Sequence, residues 1–191
     1  MKKIQPVLFA FLAGLLAGAI WPNLFEESAW KINGMSDLML LKRCLSDTID
    51  SRSLFLYLLE KRGSLLLLTA FFGVSVFGVA AGIAGAAALG GYVGLLLAAM
   101  LKLGGFRGFL LGIGLLVPQY LIYIPVLLLF LSSCFWMSLN CWKRKQIIGR
   151  EYRDYLVTVG ILFALIAAAM ALESCVNPWL VEIFLKYLKF F

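Results

Sequence analysis

The feature that most constrains this chain is a set of long runs without any charged residue. They cover residues 4–25, 64–101, 108–142 and 155–172. A transmembrane helix needs about 20 predominantly apolar residues, so each run is close to that length or exceeds it. Hydrophobic residues make up 63% of the chain, against roughly half in soluble proteins. The sequence therefore predicts a single domain over residues 1–191, an all-α integral membrane helical bundle.

The runs predict about five transmembrane helices. A straight helix over the 38 residues 64–101 would measure about 57 Å, nearly twice the hydrocarbon core of a bilayer. This run must fold back, and small residues favour a turn at residues 82–85. The five predicted spans occupy residues 4–21, 64–81, 86–101, part of 108–142, and 155–172.

Two prolines interrupt the third run. Pro118 and Pro125 each remove a backbone donor and clash with the preceding turn, which predicts a helix break. Residues 108–142 are therefore expected to form a half-helix or re-entrant piece followed by a broken fourth span. Because unpaired carbonyls are costly in lipid, the break should face the bundle interior, where Gln119, Tyr120 and Tyr123 supply the polar groups.

Small residues four positions apart predict close contacts between helices. Without a side chain, glycine allows two helix backbones to approach, and such G-x-x-x-G pairs are typical packing faces in membranes. The predicted packing positions of this kind are Gly14, Gly18, Gly78, Gly82, Gly90 and Gly94. Cys134 and Cys141 are interpreted as small packing residues rather than as a reactive pair.

Residues 22–63 form a polar segment with equal numbers of acidic and basic residues, and it is predicted to be extracytoplasmic. Helical spacing of apolar residues predicts an amphipathic helix inside it. That helix either rests on the bundle and the lipid headgroups or presents a docking face to a partner protein. The docking face would consist of Leu38, Leu41, Leu45 and Ile49.

Charge near the spans predicts the orientation. Residues 143–154 carry five basic and two acidic residues, so the positive-inside rule makes them a cytoplasmic loop. The N-terminus is predicted to be cytoplasmic as well. Because five is an odd number of crossings, the C-terminus is then expected outside the cell membrane. Residues 4–21 also resemble a secretory signal peptide, although a retained anchor is preferred. Residues 178–191 are expected to lie in the membrane surface as an interfacial helix. Pairing of Cys44 with Cys175 stays open.

The residue types present argue against a catalytic or metal-binding function. The chain has no histidine, so it lacks an imidazole base and any histidine-ligated metal. No catalytic, cofactor-binding or metal-binding residue is predicted, and no charged residue lies within the predicted spans. The basic residues lie beside apolar spans, where they report topology rather than nucleic-acid binding. The sequence thus favours a non-catalytic protein that contacts lipids and membrane or extracytoplasmic proteins, with a homo-oligomer left open.

Two segments resemble the stage II sporulation protein M family. Residues 72–78, which include Gly73 and Ser75, are similar to the second span of that family. Residues 118–125 are similar to its signature with two prolines seven apart. Gln119, Tyr120 and Tyr123 stand where the signature has His, Gly and Glu. The resemblance adds Gly73 and Ser75 to the predicted packing positions.

The resemblance implies a scaffold of the engulfment machinery. Such a protein would hold peptidoglycan hydrolases at the septal membrane while the forespore is engulfed. The alternative is a small membrane subunit of a transporter, such as an ABC- or ECF-type permease or substrate-binding component. In that case the proline region would shape a pocket and the basic loop would contact an ATPase.

Overall fold

The computed structural model describes residues 4–24, 51–144 and 149–188, and every regular element in them is a helix. The predicted all-α class is therefore confirmed. In chain order the elements are α1 (Gln5–Leu24), α2 (Ser51–Leu58), a π-helix (Leu59–Gly63), α3 (Ser64–Gly73), α4 (Gly78–Arg144) and α5 (Gly149–Leu188).

Four helical stretches within the described residues are long and apolar enough to cross a membrane: Gln5–Leu24, Gly78–Lys102, Tyr120–Lys143 and Gly149–Ser174. Large apolar side chains such as Phe9 and Phe71 stay exposed on the outside of the bundle, as lipid contact requires. These features support a multi-pass membrane protein. The fifth span stays a prediction, because α2, the π-helix and α3 are each shorter than a bilayer, although together they form one continuous helical run.

The turn expected at residues 82–85 is wrong. The chain reverses at residues 74–77, between α3 and α4, so the predicted span 64–81 is divided and residues 82–85 are helical. Ser75 stabilises this turn: its hydroxyl donates to the carbonyl of Phe72 at 2.9 Å and accepts from the amide of Phe77 at 3.3 Å. The small residues at 82–85 mark close helix packing instead of a turn.

The predicted helix break at Pro118 and Pro125 is also absent. The backbone is helical through both prolines, and the non-helical residue inside α4 is Gly105, with φ 58° and ψ −146°. Such a positive φ is accessible mainly to glycine. Gly105 therefore divides α4 into a first arm (residues 78–104) and a second arm (residues 106–144). A proline costs one backbone hydrogen bond, which a long membrane helix can tolerate.

Two further boundaries differ from expectation. Residues 143–154 are not one loop, because α4 runs to Arg144 and α5 begins at Gly149. No separate helix begins at residue 178, because the backbone of α5 is helical from Gly149 through to Leu188. The composition changes near residue 178, but α5 continues as a helix through the change.

The helices alternate in direction. Gly14 and Gly18 of α1 approach Ala87 and Gly91 of α4 in the same order, so α1 is parallel to the first arm. The second arm returns antiparallel to the first, and α5 is antiparallel to the second arm. One end of the bundle, the turn end, thus holds residues 74–77 and the start of α5, and the opposite end holds the π-helix and Gly105.

The core follows one stripe of each helix. On α5 the buried residues recur every three or four positions, which is the spacing of one helix face. They are Tyr155, Val159, Leu162, Ile166, Ala169, Met170, Glu173 and Ser174. The second arm of α4 contributes the central residues, among them the fully buried Phe130 and Cys134. This stripe on α5 includes a carboxylate, that of Glu173, and that residue forms the site described next.

Candidate functional site

A partly buried ion pair joins three helical segments at the end of the bundle opposite residues 74–77. Glu173 continues the core stripe of α5 and is only 7% exposed. Its Oε2 accepts from Nη1 of Arg62 at 2.7 Å and from the hydroxyl of Tyr123 at 2.9 Å. Arg62 lies in the π-helix and Tyr123 in the second arm of α4. The pair therefore connects the π-helix, α4 and α5 through one carboxylate.

The ring of Tyr123 completes the surroundings of the arginine. The guanidinium carbon of Arg62 lies 5.6 Å from the ring centroid, a separation at which a cation is attracted to an aromatic face. Arg62 remains 38% exposed, whereas Tyr123 is 4% exposed. The arginine is thus reachable at the edge of the bundle, while its two partners are inside.

Charge compensation explains why these groups are stable together. The guanidinium of Arg62 and the carboxylate of Glu173 carry opposite charges and lie 2.7 Å apart, so each compensates the charge of the other. A buried charge without a partner is very costly, and a paired, hydrogen-bonded one is tolerated. Removing Arg62 would therefore leave the buried carboxylate of Glu173 without its positive partner, whereas Arg62 itself is partly exposed.

Aromatic residues connect the ion pair to the first arm of α4. The rings of Tyr120 and Tyr123 lie 6.2 Å apart, and the ring of Tyr92 is stacked on that of Tyr120 at 6.5 Å and 15°. Offset aromatic pairs of this kind add about 0.5–1.5 kcal/mol beyond the burial of their area. The group around the ion pair consists of Arg62, Tyr92, Tyr120, Tyr123 and Glu173, and is called the charged cluster below.

A second polar group lies at the turn end of the bundle. The hydroxyl of Ser138, which is fully buried, donates to the carbonyls of Ser75 (2.6 Å) and Val76 (3.2 Å) and accepts from the amide of Val79 (3.0 Å). One side chain on the second arm thus supplies partners to the backbone of the 74–77 turn. Without it, buried backbone groups would lose hydrogen bonds.

Tyr155 fixes the neighbouring part of α3. Its hydroxyl donates to the carbonyl of Ala70 at 2.7 Å and lies 3.4 Å from the sulfur of Cys134. A Cβ at position 73 would overlap this hydroxyl, so Gly73 provides the space that Tyr155 needs. Cys141, like Cys134, is a free thiol.

The glycines predicted to pack against other helices lie at the following contacts. A Cβ at Gly14 or Gly18 would overlap the backbone of Ala87 or Gly91 on α4. In the same interface, a Cβ at Gly90 would overlap the carbonyl of Phe11, and one at Gly94 the carbonyl of Leu15. The two helices are therefore in contact through backbone atoms.

Gly78 and Gly82 lie against the second arm of α4. A Cβ at Gly78 would come within 2.5 Å of the carbonyl oxygen of Phe72 in α3 and within 2.8 Å of the Cβ of Ser138. One at Gly82 would come within 3.2 Å of the carbonyl oxygen of Leu131 and the Cβ of Phe135. These separations are shorter than ordinary van der Waals contact. Glycine at these two positions thus permits the antiparallel approach of the two arms of α4.

Other predicted positions are not joined to these groups. Pro125 is exposed on the second arm, and Pro118 contributes helical backbone. The predicted docking face, Leu38, Leu41, Leu45 and Ile49, lies outside the described residues, as does Cys44 with its suggested link to Cys175. Within the described segments, no three Cys, Asp or Glu side chains form a group that could hold a metal ion.

The predicted last span, residues 155–172, ends one position before Glu173. The candidate span Gly149–Ser174 extends past that limit and includes this carboxylate. The spacing of the α5 core stripe, which includes Ile166 and Met170, would have placed Glu173 on the inner face. No comparable sequence signal identifies Arg62, since the π-helix sets its direction.

Comparison with known proteins identifies a family. The sequence model described as stage II sporulation protein M matches residues 7–178, which include every residue of the charged cluster. Comparisons with curated proteins and with solved structures gave no significant match. The resemblance seen at residues 72–78 and 118–125 is thereby confirmed.

Proposed function

Because this chain belongs to the stage II sporulation protein M family, we propose that it is a non-catalytic membrane scaffold that holds peptidoglycan hydrolases at the septal membrane during engulfment. Its membership makes it a sporulation-related membrane protein. The scaffold role is supported by that match over residues 7–178, which is the observation that carries the proposal. Under this proposal the N-terminus is cytoplasmic and residues 22–63 face the hydrolases.

The described structure is compatible with a holding role. Two of its buried polar side chains join parts of the bundle: Ser138 binds the 74–77 turn, and Glu173 binds Arg62 and Tyr123. Such satisfied networks make a bundle rigid and specific. A rigid bundle that ties down the end of an outer segment is what a scaffold needs to present partners at a fixed height above the membrane.

Co-purification tests the proposal. The tagged protein is isolated from membranes of the sporulating host, and bound proteins are identified by mass spectrometry. We expect peptidoglycan hydrolases in amounts that fall when Leu41 and Leu45 are replaced by Asp, since each change loses about 1.5–3 kcal/mol of burial and adds a charge to the contact. Equal recovery with the variant would reject this docking face. Recovery of an ATPase in place of a hydrolase would reject the scaffold.

One observation favours the alternative of a transporter subunit. Glu173 is an ionisable residue of the candidate span Gly149–Ser174 and points into the bundle, and such residues often mark substrate or ion paths in membrane proteins. Purified protein in vesicles, with and without a co-purifying ATPase, would be assayed for uptake of a solute into the vesicles. Uptake that Glu173→Gln abolishes would support the transporter. Its absence, together with hydrolase recovery, would support the scaffold.

A further inference from the structure

The helical run that enters the bundle from the outer segment changes its winding next to the ion pair. Residues Ser51–Leu58 and Ser64–Gly73 are α-helical, but Leu59–Gly63 between them is a π-helix. The flanking residues Leu58 and Ser64 keep right-handed helical dihedrals, so the run is continuous across the change. π-helical segments are rare and accommodate an extra residue within an α-helix.

The π-helix and the ion pair occupy the same place. Arg62 is the fourth residue of the π-helix, and it reaches Glu173 on α5 at 2.7 Å. The helix that precedes the π-helix, α2, also packs against α5. Phe55 of α2 and Leu59 of the π-helix are partly buried against the core. The π winding therefore occurs where the run must satisfy one charged contact and one apolar contact with α5.

We propose that Leu59–Gly63 is a register joint, held in its π form by the Arg62–Glu173 pair, which couples the rotation of α2 to α5. An α-helix turns by about 100° per residue. If Leu59–Gly63 rewound as an α-helix, the helical register would shift by one residue. This shift would rotate α2 by about that angle relative to α3. The ion pair selects one of the two registers, because only one directs Arg62 to the carboxylate.

This joint deepens the proposed function, on which its biological meaning rests, because α2 is the end of the segment that would hold partners. In the π register, α2 has a fixed rotation relative to α3. In the α register that rotation differs, and the connection with α5 is lost. The state of the last helix would in this way regulate how partners are presented.

Hydrogen exchange of the protein in lipid nanodiscs tests the joint. The variant is Glu173→Gln, which keeps the side-chain shape but removes the charge. The matched control is Glu60→Gln, the same chemical change at an exposed position of the same π-helix. Losing a charge-assisted hydrogen bond should accelerate exchange of the Leu59–Gly63 amides about tenfold or more, while the control matches wild type. Amides of the first arm of α4 report whether the fold is intact.

Exchange at Leu59–Gly63 that is the same in Glu173→Gln and wild type would overturn the proposal. If all amides of Glu173→Gln exchange fast, the fold itself is lost in that variant. The charge-reversed double variant, Arg62→Glu with Glu173→Arg, then decides whether the ion pair holds the π-helix. Protection of Leu59–Gly63 that returns in this double variant supports the joint, and protection that stays lost overturns it.

Hydrolase recovery with the same variants separates the two proposals. Reduced recovery with Glu173→Gln and normal recovery with Glu60→Gln support the coupling. Normal recovery with both overturns it. If wild type itself recovers no hydrolase, the proposed function fails, whereas the exchange experiment still decides whether the pair holds the joint.

Discussion

At the scale of single residues, a few hydroxyl groups hold the helices in register. Tyr155 and Ser138 each donate to a backbone carbonyl on another part of the chain, at 2.7 and 2.6 Å. In a membrane no water can replace these partners, so each bond has a structural cost if it is lost. The space for them depends on residues without side chains, as Gly73 beside Tyr155 shows.

A double-mutant cycle between Gly73 and Tyr155 tests this dependence. Gly73→Ala should lower the free energy of unfolding by about 1–3 kcal/mol, since its Cβ overlaps the tyrosine hydroxyl. Tyr155→Phe alone should cost about 1 kcal/mol through the lost bond to Ala70. Because Tyr155→Phe removes the overlapping atom, Gly73→Ala should cost less in that background. Denaturant titration in detergent measures all four proteins, and strictly additive costs would contradict the contact.

At the scale of elements, glycine spacing was a better guide to helix packing than to turns. The spacing of Gly14 and Gly18 suggested a close helix contact, and the structure places both against the backbone of α4. The same composition at residues 82–85 wrongly suggested a turn, because small residues are frequent in both settings. The actual turn at 74–77 depends on Ser138, which is distant in sequence. Local sequence cannot report such a partner.

Replacing Gly18 measures the interface between α1 and α4. In Gly18→Ala, the added Cβ would overlap the backbone of Gly91, and backbone cannot move aside without separating the helices. We expect a loss of about 1–3 kcal/mol in the free energy of unfolding. Gly160→Ala is the control, since a Cβ at that exposed helical position has no neighbour within 4 Å. Similar stability of both variants would show that the interface tolerates a wider spacing.

The predicted helix break at Pro118 and Pro125 was also wrong, for a physical reason. A proline removes one donor, but a helix of this length keeps its other hydrogen bonds, and unwinding in lipid would expose more of them. Pro125→Ala should therefore leave the second arm helical and raise the free energy of unfolding by about 0.5–1.5 kcal/mol through one regained bond. Thermal unfolding with circular dichroism tests this. A clear fall in stability would mean that Pro125 sets a bend that the bundle needs.

At the scale of the whole molecule, the described helices define two ends, and charge gives them different surroundings. Lys143 and Arg150, both exposed, lie at the turn end, which also holds the start of α1. The charged cluster and the contact of Lys102 with the carbonyl of Pro22 (2.8 Å) lie at the other. The sequence predicted the all-α class. It could not predict the cluster, because Arg62, Tyr123 and Glu173 meet only after three helices are packed.

The positive-inside rule then predicts that the end with Lys143 and Arg150 is cytoplasmic. Five crossings, with the run from α2 to α3 as one of them, would put the N-terminus on that side and the C-terminus outside. Single cysteines at Gln146 and Lys189, in a variant whose four native cysteines are replaced, distinguish the models in intact cells. An impermeant maleimide should label the cysteine at 189 and leave the one at 146 unmodified until the membrane is permeabilised. Labelling at 146 from outside would reverse the orientation. Protection at both positions would mean that residues 146 and 189 lie on the same side, so that α5 does not cross the membrane.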